Sequence, residues 1–417
     1  MLHLLRLAFC LITFVGVSYG QRAVIVTTDF STGSLSSLDT QTLSPSNDLL
    51  LIHSDAAVRT HGDFVYVLNK LNGDNIIVLQ KDNLATPVTQ YSTGNGSNPH
   101  DIVFASSEKA YVSLYERDYV LIVNPATGDS LGSIDVSAYA DEDGIPEISQ
   151  MAILGDRVFV TAQRLNRDAF FSPTESSLIL VIDTQTDTLI DADADTEGVQ
   201  GIVLAGTNPT SVLQRGTKLI ISTVASFGAQ DGGIEIVDLI SLQMEGQKVS
   251  EESLAGDVGA MAMLDDTTGY IVVSDANFVS SVKRFDLSTG VVSDTLPDHS
   301  GGFTPSLALK GSSLWVLDRG TFSDPSVAGV VIYDTSTNTR TSGPIGTGLP
   351  PSDIEFVDLN PADFNDDGNA NFDDFLLFAA AFGKQPGDDA YGSQYDLDPN
   401  GMVDFTDFLI FAENFGQ

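Results

Sequence analysis

Short β-type runs that recur at a nearly constant interval limit the fold more than any other feature of this chain. The runs are rich in Val, Ile and Tyr, and clusters of Gly, Asp, Asn and Ser separate them from about residue 21 to residue 358. Most repeats open with a proline-led strand. The repeats open at Pro99, Pro146, Pro209, Asp257, Pro305 and Pro351, with intervals of 47, 63, 48, 48 and 46 residues.

Four strands in each unit of about 40–50 residues are typical of a β-propeller, so the sequence predicts a mainly β protein with a propeller over residues 21–357. The units are residues 21–56, 57–97, 98–145, 146–207, 208–256, 257–303 and 304–350. The first unit lacks its opening strand, and residues 351–357 would supply it and close the ring. Seven blades are predicted. A polar insertion at residues 183–198 explains the long interval, which also leaves eight blades open.

The strand motifs carry a family resemblance. The pairs of runs at residues 64–69 and 75–79, and at 110–113 and 120–123, resemble those of YVTN-type propellers of secreted bacterial proteins, which are similar to lactonase-type propellers. The resemblance covers about residues 21–357. It implies the fold, but propellers of this kind serve many functions, so it does not imply one activity.

A duplication marks the C-terminal segment. Residues 363–383 recur at residues 396–416 with an offset of 33, and each copy is a twelve-residue, oxygen-rich loop followed by an apolar helix. Such loops bind Ca²⁺ through oxygens at alternating positions, with glycine at position six. The predicted ligands of two Ca²⁺ ions are Asp363, Asn365, Asp367, the carbonyl of Asn369, Asn371 and Asp374, and then Asp396, Asp398, Asn400, the carbonyl of Met402, Asp404 and Asp407.

Residues 358–417 resemble a dockerin type I module, a pair of half EF-hands. Position twelve of each loop is Asp rather than Glu, and Pro361 and Pro399 disfavour a helix before either loop. The resemblance implies calcium-dependent docking to a cohesin-like partner and an association with polysaccharide catabolism. Positions ten and eleven are Phe372-Asp373 and Phe405-Thr406 rather than small hydroxyl pairs. The predicted partner is therefore a cohesin-like module or another extracellular or cell-surface protein.

Charge and the N-terminus indicate the setting. The chain has 57 acidic and 19 basic residues and a net charge of -38, which disfavours nucleic acid and anionic membranes as partners. Residues 1–20 predict a signal peptide, with Arg6, an apolar stretch and small residues before Gln21. No later segment approaches the roughly 20 apolar residues of a membrane span. The only cysteine, Cys10, lies within the signal. The predicted location is secreted, with cell-surface association through the tail.

Few residues suit catalysis in the predicted mature chain. His100 is the candidate catalytic residue, because the opening strands of a propeller line its channel and lactonase-type propellers carry similar Pro-His pairs. The plainer explanation for this histidine is that it packs against a neighbouring blade. No Gly-x-Ser-x-Gly run lies next to a predicted helix, as a nucleophile elbow would require, and the sequence has no His-Glu-x-x-His motif. Asp101, Glu147 and Asp353 follow opening prolines and could ring the channel mouth to bind a cation or sugar hydroxyls, or they are solvated loop ends.

These observations favour a secreted, non-catalytic binding or scaffold protein. In this hypothesis the propeller presents a surface to carbohydrate or protein, and the calcium-dependent tail attaches it to a partner. The alternative is an extracellular hydrolase, acting on lactones or polysaccharides, that the tail delivers to a complex. The scarcity of histidine favours the first hypothesis. A structural surface-layer component is a third hypothesis, which calcium-dependent self-association would reveal.

Overall fold

A computed structural model describes residues 21–321, 323–365, 370–385, 388, 390–398 and 400–416. It contains two compact units, the propeller (Arg22–Val357) and the C-terminal unit (Asp358–Gln417). The predicted signal peptide and the predicted ligands Asp367 and Asn369 lie outside the described residues. Within the described ranges, every helix is too short or too polar to cross a bilayer.

Seven antiparallel sheets, each built on four strands, form the blades of the propeller. The first blade contains β1 (Gln21–Thr28), β2 (Gly33–Asp39) and β3 (Pro45–Ile52). The second contains β4 (Ala56–His61), β5 (Phe64–Asn69), β6 (Asn75–Gln80) and β7 (Asn83–Ser92). The third contains β8 (Pro99–Ser106), β9 (Lys109–Leu114), β10 (Tyr119–Val123) and β11 (Ser130–Asp135). The fourth contains β12 (Ile148–Leu154), β13 (Arg157–Ala162), the hairpin β14 (Leu165–Asn166) and β15 (Ser172–Pro173), β16 (Leu178–Asp183), β17 (Thr188–Ile190) and β18 (Ile202–Val203).

The last three blades have the same plan. The fifth contains β19 (Pro209–Arg215), β20 (Lys218–Thr223), β21 (Gly233–Asp238) and β22 (Gln243–Ser250), followed by the short helix α1 (Glu251–Leu254). The sixth contains β23 (Asp257–Met263), β24 (Thr268–Ser274), β25 (Ser280–Asp286) and β26 (Val292–Thr295). The seventh contains β27 (Leu307–Lys310), β28 (Ser313–Asp318), β29 (Gly329–Asp334) and β30 (Thr339–Ile345). The 3₁₀ turns of the propeller are Ser137–Tyr139, Arg167–Ala169 and Pro325–Val327.

The last strand of the propeller, β31 (Pro351–Asp358), pairs with β1 and becomes the innermost strand of the first blade. The predicted count of seven blades and the predicted closure are both confirmed. The join continues into the neighbouring loops, where the Thr28 N–H donates to the Pro350 carbonyl at 2.8 Å and Arg319 donates to the Thr28 carbonyl at 2.7 Å. Closing the ring in this way removes an exposed sheet edge.

The middle strands of most blades are buried on both faces because each sheet packs between two others, whereas outer strands such as β3, β11 and β22 are largely exposed. Tyr111 and Val120 of the third blade, for example, share one core with Val158 and Leu180 of the fourth. A sheet that is buried on both sides needs continuous apolar runs rather than alternation, which explains the strand composition.

The predicted insertion at residues 183–198 was wrong in its bounds. Strand β17 lies inside that stretch and forms the outer strand of the blade, where Leu189 packs against the core. The additional length is divided between residues 191–201 and residues 163–177, which contain the β14–β15 hairpin. The density of Asp and Thr around β17 hid a strand that has only two apolar residues.

The C-terminal unit contains α2 (Phe372–Ala381) and α3 (Phe405–Asn414), with a 3₁₀ turn at Ser393–Tyr395. Both helices have ten residues, and their bounds differ by the sequence offset of 33. Phe364 packs against Phe378, Phe411 and Tyr395 at the centre of the unit, with ring centroids 4.9–6.2 Å apart.

Candidate metal centre and propeller channel

The second loop of the C-terminal unit brings three carboxylates together. Asp396, Asp398 and Asp407 each offer an oxygen that lies within 4.8 Å of the others. They are positions one, three and twelve of the predicted loop. These three residues could therefore hold a metal ion.

Backbone hydrogen bonds explain how the loop places Asp407. Its carboxylate is buried, and its two oxygens accept the N–H groups of Asp398 (3.0 Å) and Asp404 (2.6 Å). Asp404 caps α3 by accepting the Thr406 N–H at 2.7 Å. Gly401 has φ +87°, a conformation that favours glycine at position six.

The first loop repeats these bonds at the equivalent atoms. The buried carboxylate of Asp374 accepts the N–H groups of Asn365 (3.0 Å) and Asn371 (2.8 Å), and Asn371 caps α2 through the Asp373 N–H (2.8 Å). Asp363, at position one, is also buried. The duplication therefore extends from sequence to hydrogen bonding, although Asp367 and Asn369 lie outside the described part of this loop.

The two copies also bind each other. The Gly383 N–H donates to the Val403 carbonyl, and the Gly416 N–H donates to the Ala370 carbonyl, both at 2.7 Å. Each helix end is thus tied to the loop of the other copy. Because the copies are interlocked in this way, a change that opens one loop is expected to loosen both.

The residues of the second loop fit a hard cation. The potential metal-ligand atoms that converge are all carboxylate oxygens. The carboxylate of Asp396 is held in place because it accepts the N–H groups of Asn400 (3.0 Å) and Gly401 (2.8 Å). Of the other predicted ligands, Asn400 donates through its amide to Asp404 at 3.4 Å, and the Met402 N–H donates to Asn400 at 2.9 Å. The three grouped carboxylates and these neighbours form one oxygen-rich loop.

An arginine with three carboxylates occupies the propeller channel. Arg59, on the innermost strand β4, donates to Asp101 on β8 at 2.7 Å and to Asp353 on β31 at 3.2 Å, and Glu355 lies 4.0 Å away. Both aspartates also accept a backbone N–H group from a neighbouring innermost strand. Asp101 accepts the Met151 N–H at 2.9 Å, and Asp353 accepts the Val58 N–H at 3.0 Å. Asp101 and Asp353 therefore join blades together rather than standing as solvated loop ends.

Glu355 faces a small cavity of about 250 Å³, whose lining includes Arg59, His61, Phe104 and Ile153. Burial raises the pKa of Glu355 to about 7; Arg59 opposes this rise, whereas Asp353 and Asp101 add to it. One guanidinium with three carboxylates leaves this end of the channel acidic. Sequence reasoning missed Arg59 and Glu355; for Glu355 the available signal was its position two residues after Asp353 on one strand, where alternate residues share a face.

Glu147, the third predicted channel carboxylate, lies in a different cluster. It is fully buried, accepts the Leu165 N–H and the Arg167 Nε–H at 3.0 Å each, and burial raises its pKa to about 7. Arg167 also pairs with Glu116. These bonds anchor the long loop of the fourth blade, so Glu147 does not join Asp101 and Asp353 in one ring.

His100 lies at the start of β8, where its Nδ1 is 3.0 Å from the Ser149 hydroxyl and its ring stacks on Tyr115 at 4.2 Å. Burial, and then the charge of Lys70, hold the pKa of His100 well below its usual range, so the ring is neutral at pH 7. The separation suits a base beside a nucleophile, but Ser149 is buried and little of it is open to a substrate.

Comparisons with known proteins support the fold of the propeller. The chain is similar to a Bacteroides fragilis protein provisionally assigned as a 6-phosphogluconolactonase (TM-score 0.57, 14% identity, 82% of this chain and 98% of that one). It is also similar to a Lactobacillus plantarum protein (TM-score 0.57, 12% identity, 81% and 100%) and to the computationally designed Ika8 protein (TM-score 0.50, 14% identity, 82% and 92%). No protein-family model and no curated protein matches the chain. The predicted likeness to lactonase-type propellers is thus confirmed as a likeness of fold.

Proposed function

We propose that this chain is a secreted, non-catalytic binding protein, in which the propeller presents a ligand surface and the C-terminal unit docks to an extracellular or cell-surface partner when it holds calcium. The convergence of Asp396, Asp398 and Asp407 carries this proposal. Carboxylates at alternating loop positions, with a buried carboxylate at position twelve, are the ligands that Ca²⁺ takes in loops of this length.

Two ions would be held, one in each copy. Asp363, Asn365, Asp367, Asn371 and Asp374, with the Asn369 carbonyl, would hold the first. Asp396, Asp398, Asn400, Asp404 and Asp407, with the Met402 carbonyl, would hold the second. Bound calcium would neutralise part of each cluster and fix the loop against its helix. The equivalent hydrogen bonds of Asp374 and Asp407 support the same role for both loops.

The exposed apolar residues of the two helices support docking. Phe372 and Phe405 occupy position ten of the two loops and keep 61% and 63% of their surface exposed. Leu376 and Leu409, one helical turn further on, are each 52% exposed. Exposed apolar groups that recur at equivalent positions are typical of a binding surface, and they resemble the docking helices that a dockerin-like module would use.

A hydrolase is the second candidate function, and the neutral His100 beside the Ser149 hydroxyl is the observation that favours it. If these residues acted as base and nucleophile, His100→Ala and Ser149→Ala would each abolish hydrolysis of a lactone or polysaccharide that the wild-type chain cleaves. Equal rates in the wild type and both variants would exclude this pair as the catalytic centre.

Capture from the organism's extracellular and envelope fractions tests the docking proposal. The immobilised full chain is expected to retain a partner in calcium, to release it in EGTA, and to lose it when Asp396, Asp398 and Asp407 are changed to Asn. Glu413→Gln, on the exposed side of α3, is the matched control and should keep the partner. Equal capture in calcium and in EGTA would contradict the proposal.

A second variant separates the ion from the surface. The double variant Phe372→Ser, Phe405→Ser should lose the partner but still bind calcium. Both side chains are exposed, and neither is a predicted calcium ligand. Retention of the partner by this variant would show that the exposed phenylalanines do not form the docking surface.

A further inference from the structure

Exposed phenylalanines cluster at one end of the propeller. They lie in the loops that join the second and third strands of the blades, and they include Phe30 of the first blade, Phe170 of the fourth, Phe227 of the fifth and Phe278 of the sixth. Phe170 and Phe278 keep 95% and 80% of their surface exposed, whereas Phe159, in a strand, is buried.

The topology places these loops on the same face. In each blade the second-to-third loop lies at the end where the chain crosses to the next innermost strand, and every blade has the same strand order. Contacts between neighbouring loops agree, because the Arg319 guanidinium lies 4.2 Å from the centre of the Phe30 ring and the Leu71 N–H donates to Asn98 at 2.9 Å. We call this end of the propeller, with Phe30, Phe170, Phe227 and Phe278, the loop face.

Three of the four phenylalanines have a left-handed backbone conformation. Phe30, Phe170 and Phe278 have φ values of 69°, 58° and 60°, in the left-handed region that non-glycine residues rarely adopt. Phe227 precedes Gly228, which has φ +81°.

The opposite face of the propeller differs. Its connections are short turns such as those at Asp183, Asp286 and Asp334, whose side chains cap the turn by accepting two backbone N–H groups. The large apolar residues exposed in these turns are aliphatic, Ile240 and Val291, and the described turns at this end contain no aromatic residue. The aromatic groups are therefore specific to the loop face.

The charge of the loop face indicates its occupant. Its basic side chains are engaged within the protein: Arg164 with Glu175, Arg167 with Glu116 and Glu147, Arg319 with carbonyls of Thr28, Pro350 and Pro351, Arg117 with carbonyls of Asn95 and Glu116, and Lys70 near Asp55. Exposed carboxylates lie in the loops and crossings of the same face, namely Asp29, Glu142, Asp168, Asp231, Glu252 and Asp298. An apolar surface with an acidic rim complements a partner that is apolar and basic.

We propose that the loop face docks a basic, amphipathic protein segment, with Phe30, Phe170, Phe227 and Phe278 packing on its apolar side and the surrounding carboxylates pairing with its Lys and Arg. This inference rests on the proposed function, in which the propeller is the ligand-presenting unit. A second copy of the chain is disfavoured as the occupant because its loop face would carry the same acidic rim, and an anionic membrane is disfavoured for the same reason.

The test uses the full chain in EGTA, and the C-terminal unit is identical in the wild type and in the variants, so that any peptide bound by this unit contributes equally to each of them. The probe is a fluorescent amphipathic peptide of Leu and Lys, compared with peptides in which Glu replaces Lys or Ser replaces Leu. The loop-face variant changes Phe30, Phe170, Phe227 and Phe278 to Ser. The matched control changes Ile240 and Val291 to Ser on the opposite face, and thermal melting checks that both variants fold.

We expect the Leu-Lys peptide to bind the wild type and the control equally, and the loop-face variant at least tenfold more weakly. The Leu-Glu and Ser-Lys peptides should bind at least tenfold more weakly than the Leu-Lys peptide. Equal affinity for the control and the loop-face variant would overturn the proposal, as would tight binding of either comparison peptide.

Two further readouts keep the proposal falsifiable. If the fourfold variant fails to fold, Phe170→Ser and Phe278→Ser are measured separately, and each should weaken binding at least twofold. Binding of the wild type to phosphatidylcholine vesicles, if the loop-face variant loses it, would overturn the proposal in favour of a lipid surface. Failure of these tests, with calcium-dependent capture intact, would reject the loop face alone and leave docking by the C-terminal unit in place.

Discussion

The propeller and the C-terminal unit achieve a fixed structure by different means. The propeller has a series of apolar cores between its blades, and several of them contain ten or more buried residues. Each of the two cores of the C-terminal unit has three buried residues, supplemented by half-buried aromatic rings, and its loops carry converging carboxylates. Small units gain too little from apolar burial alone, so a bound ion is expected to stabilise the C-terminal unit but not the propeller.

The largest effect is expected from removing the acidic group of the second loop. Changing Asp396, Asp398 and Asp407 to Asn should weaken calcium binding at that loop about a thousandfold, roughly 4 kcal/mol, because three ionised ligands are lost at once. Isothermal titration calorimetry measures the change, with Glu413→Gln as the control. Two calcium sites of unchanged affinity in the triple variant would contradict the assignment.

The next effect concerns the propeller alone. Arg59→Met leaves Asp101, Asp353 and Glu355 without their shared cation, so the free energy of unfolding of the propeller should fall by about 3 kcal/mol. Arg215→Met, which breaks the exposed pair with Asp266, should change it by less than about 1 kcal/mol. Denaturant unfolding measures both. Similar losses in the two variants would show that the channel pair is no more important than a surface pair.

A smaller effect should depend on pH. Burial raises the pKa of Glu355 from 4.5 to about 7, so the folded chain holds this proton more tightly than the unfolded chain. The contribution of Glu355 to stability is therefore greatest below pH 4.5 and declines as the pH rises through 7. Glu355→Gln should remove this decline, which we expect to be about 1 kcal/mol because a third of the side chain faces water. Chemical denaturation of both proteins from pH 4 to 8 checks the sign; a difference that does not vary with pH would contradict it.

The smallest effect is expected in the turns opposite the loop face. Asp334 accepts the N–H groups of Ser336 (3.0 Å) and Thr337 (2.9 Å) from an exposed position. Asp334→Ala should lower the stability of the propeller by less than Arg59→Met does, and Ser336→Ala by less again. Denaturant unfolding measures both, and a loss in Asp334→Ala as large as that in Arg59→Met would mean that a single turn has a larger part in the propeller than these contacts indicate.

The features that follow from local periodicity could be predicted from the sequence. The spacing of the opening prolines predicted seven blades and their closure by the strand at residue 351, because every blade repeats the same run of strands. The offset of 33 likewise predicted two equivalent helices, and their bounds differ by that number.

The channel network could not be predicted in the same way. Arg59 meets Asp101 and Asp353 from positions 42 and 294 residues away, and only the closed ring brings the three together. The loop face was missed for another reason. Phe30, Phe227 and Phe278 stand among turn-forming residues, where the sequence shows a loop but does not show that the loops of different blades share one face.

Differential scanning calorimetry of the full chain, in calcium and in EGTA, tests the central claim most directly. We predict two transitions, of which the one from the C-terminal unit moves to higher temperature as calcium increases, while the propeller transition stays in place. The shift should become clearly smaller when Asp396, Asp398 and Asp407 are changed to Asn, because only the first loop then binds calcium at its original affinity. If neither transition responds to calcium, or if the Asn variant responds as the wild type does, the C-terminal unit is not a calcium-dependent module.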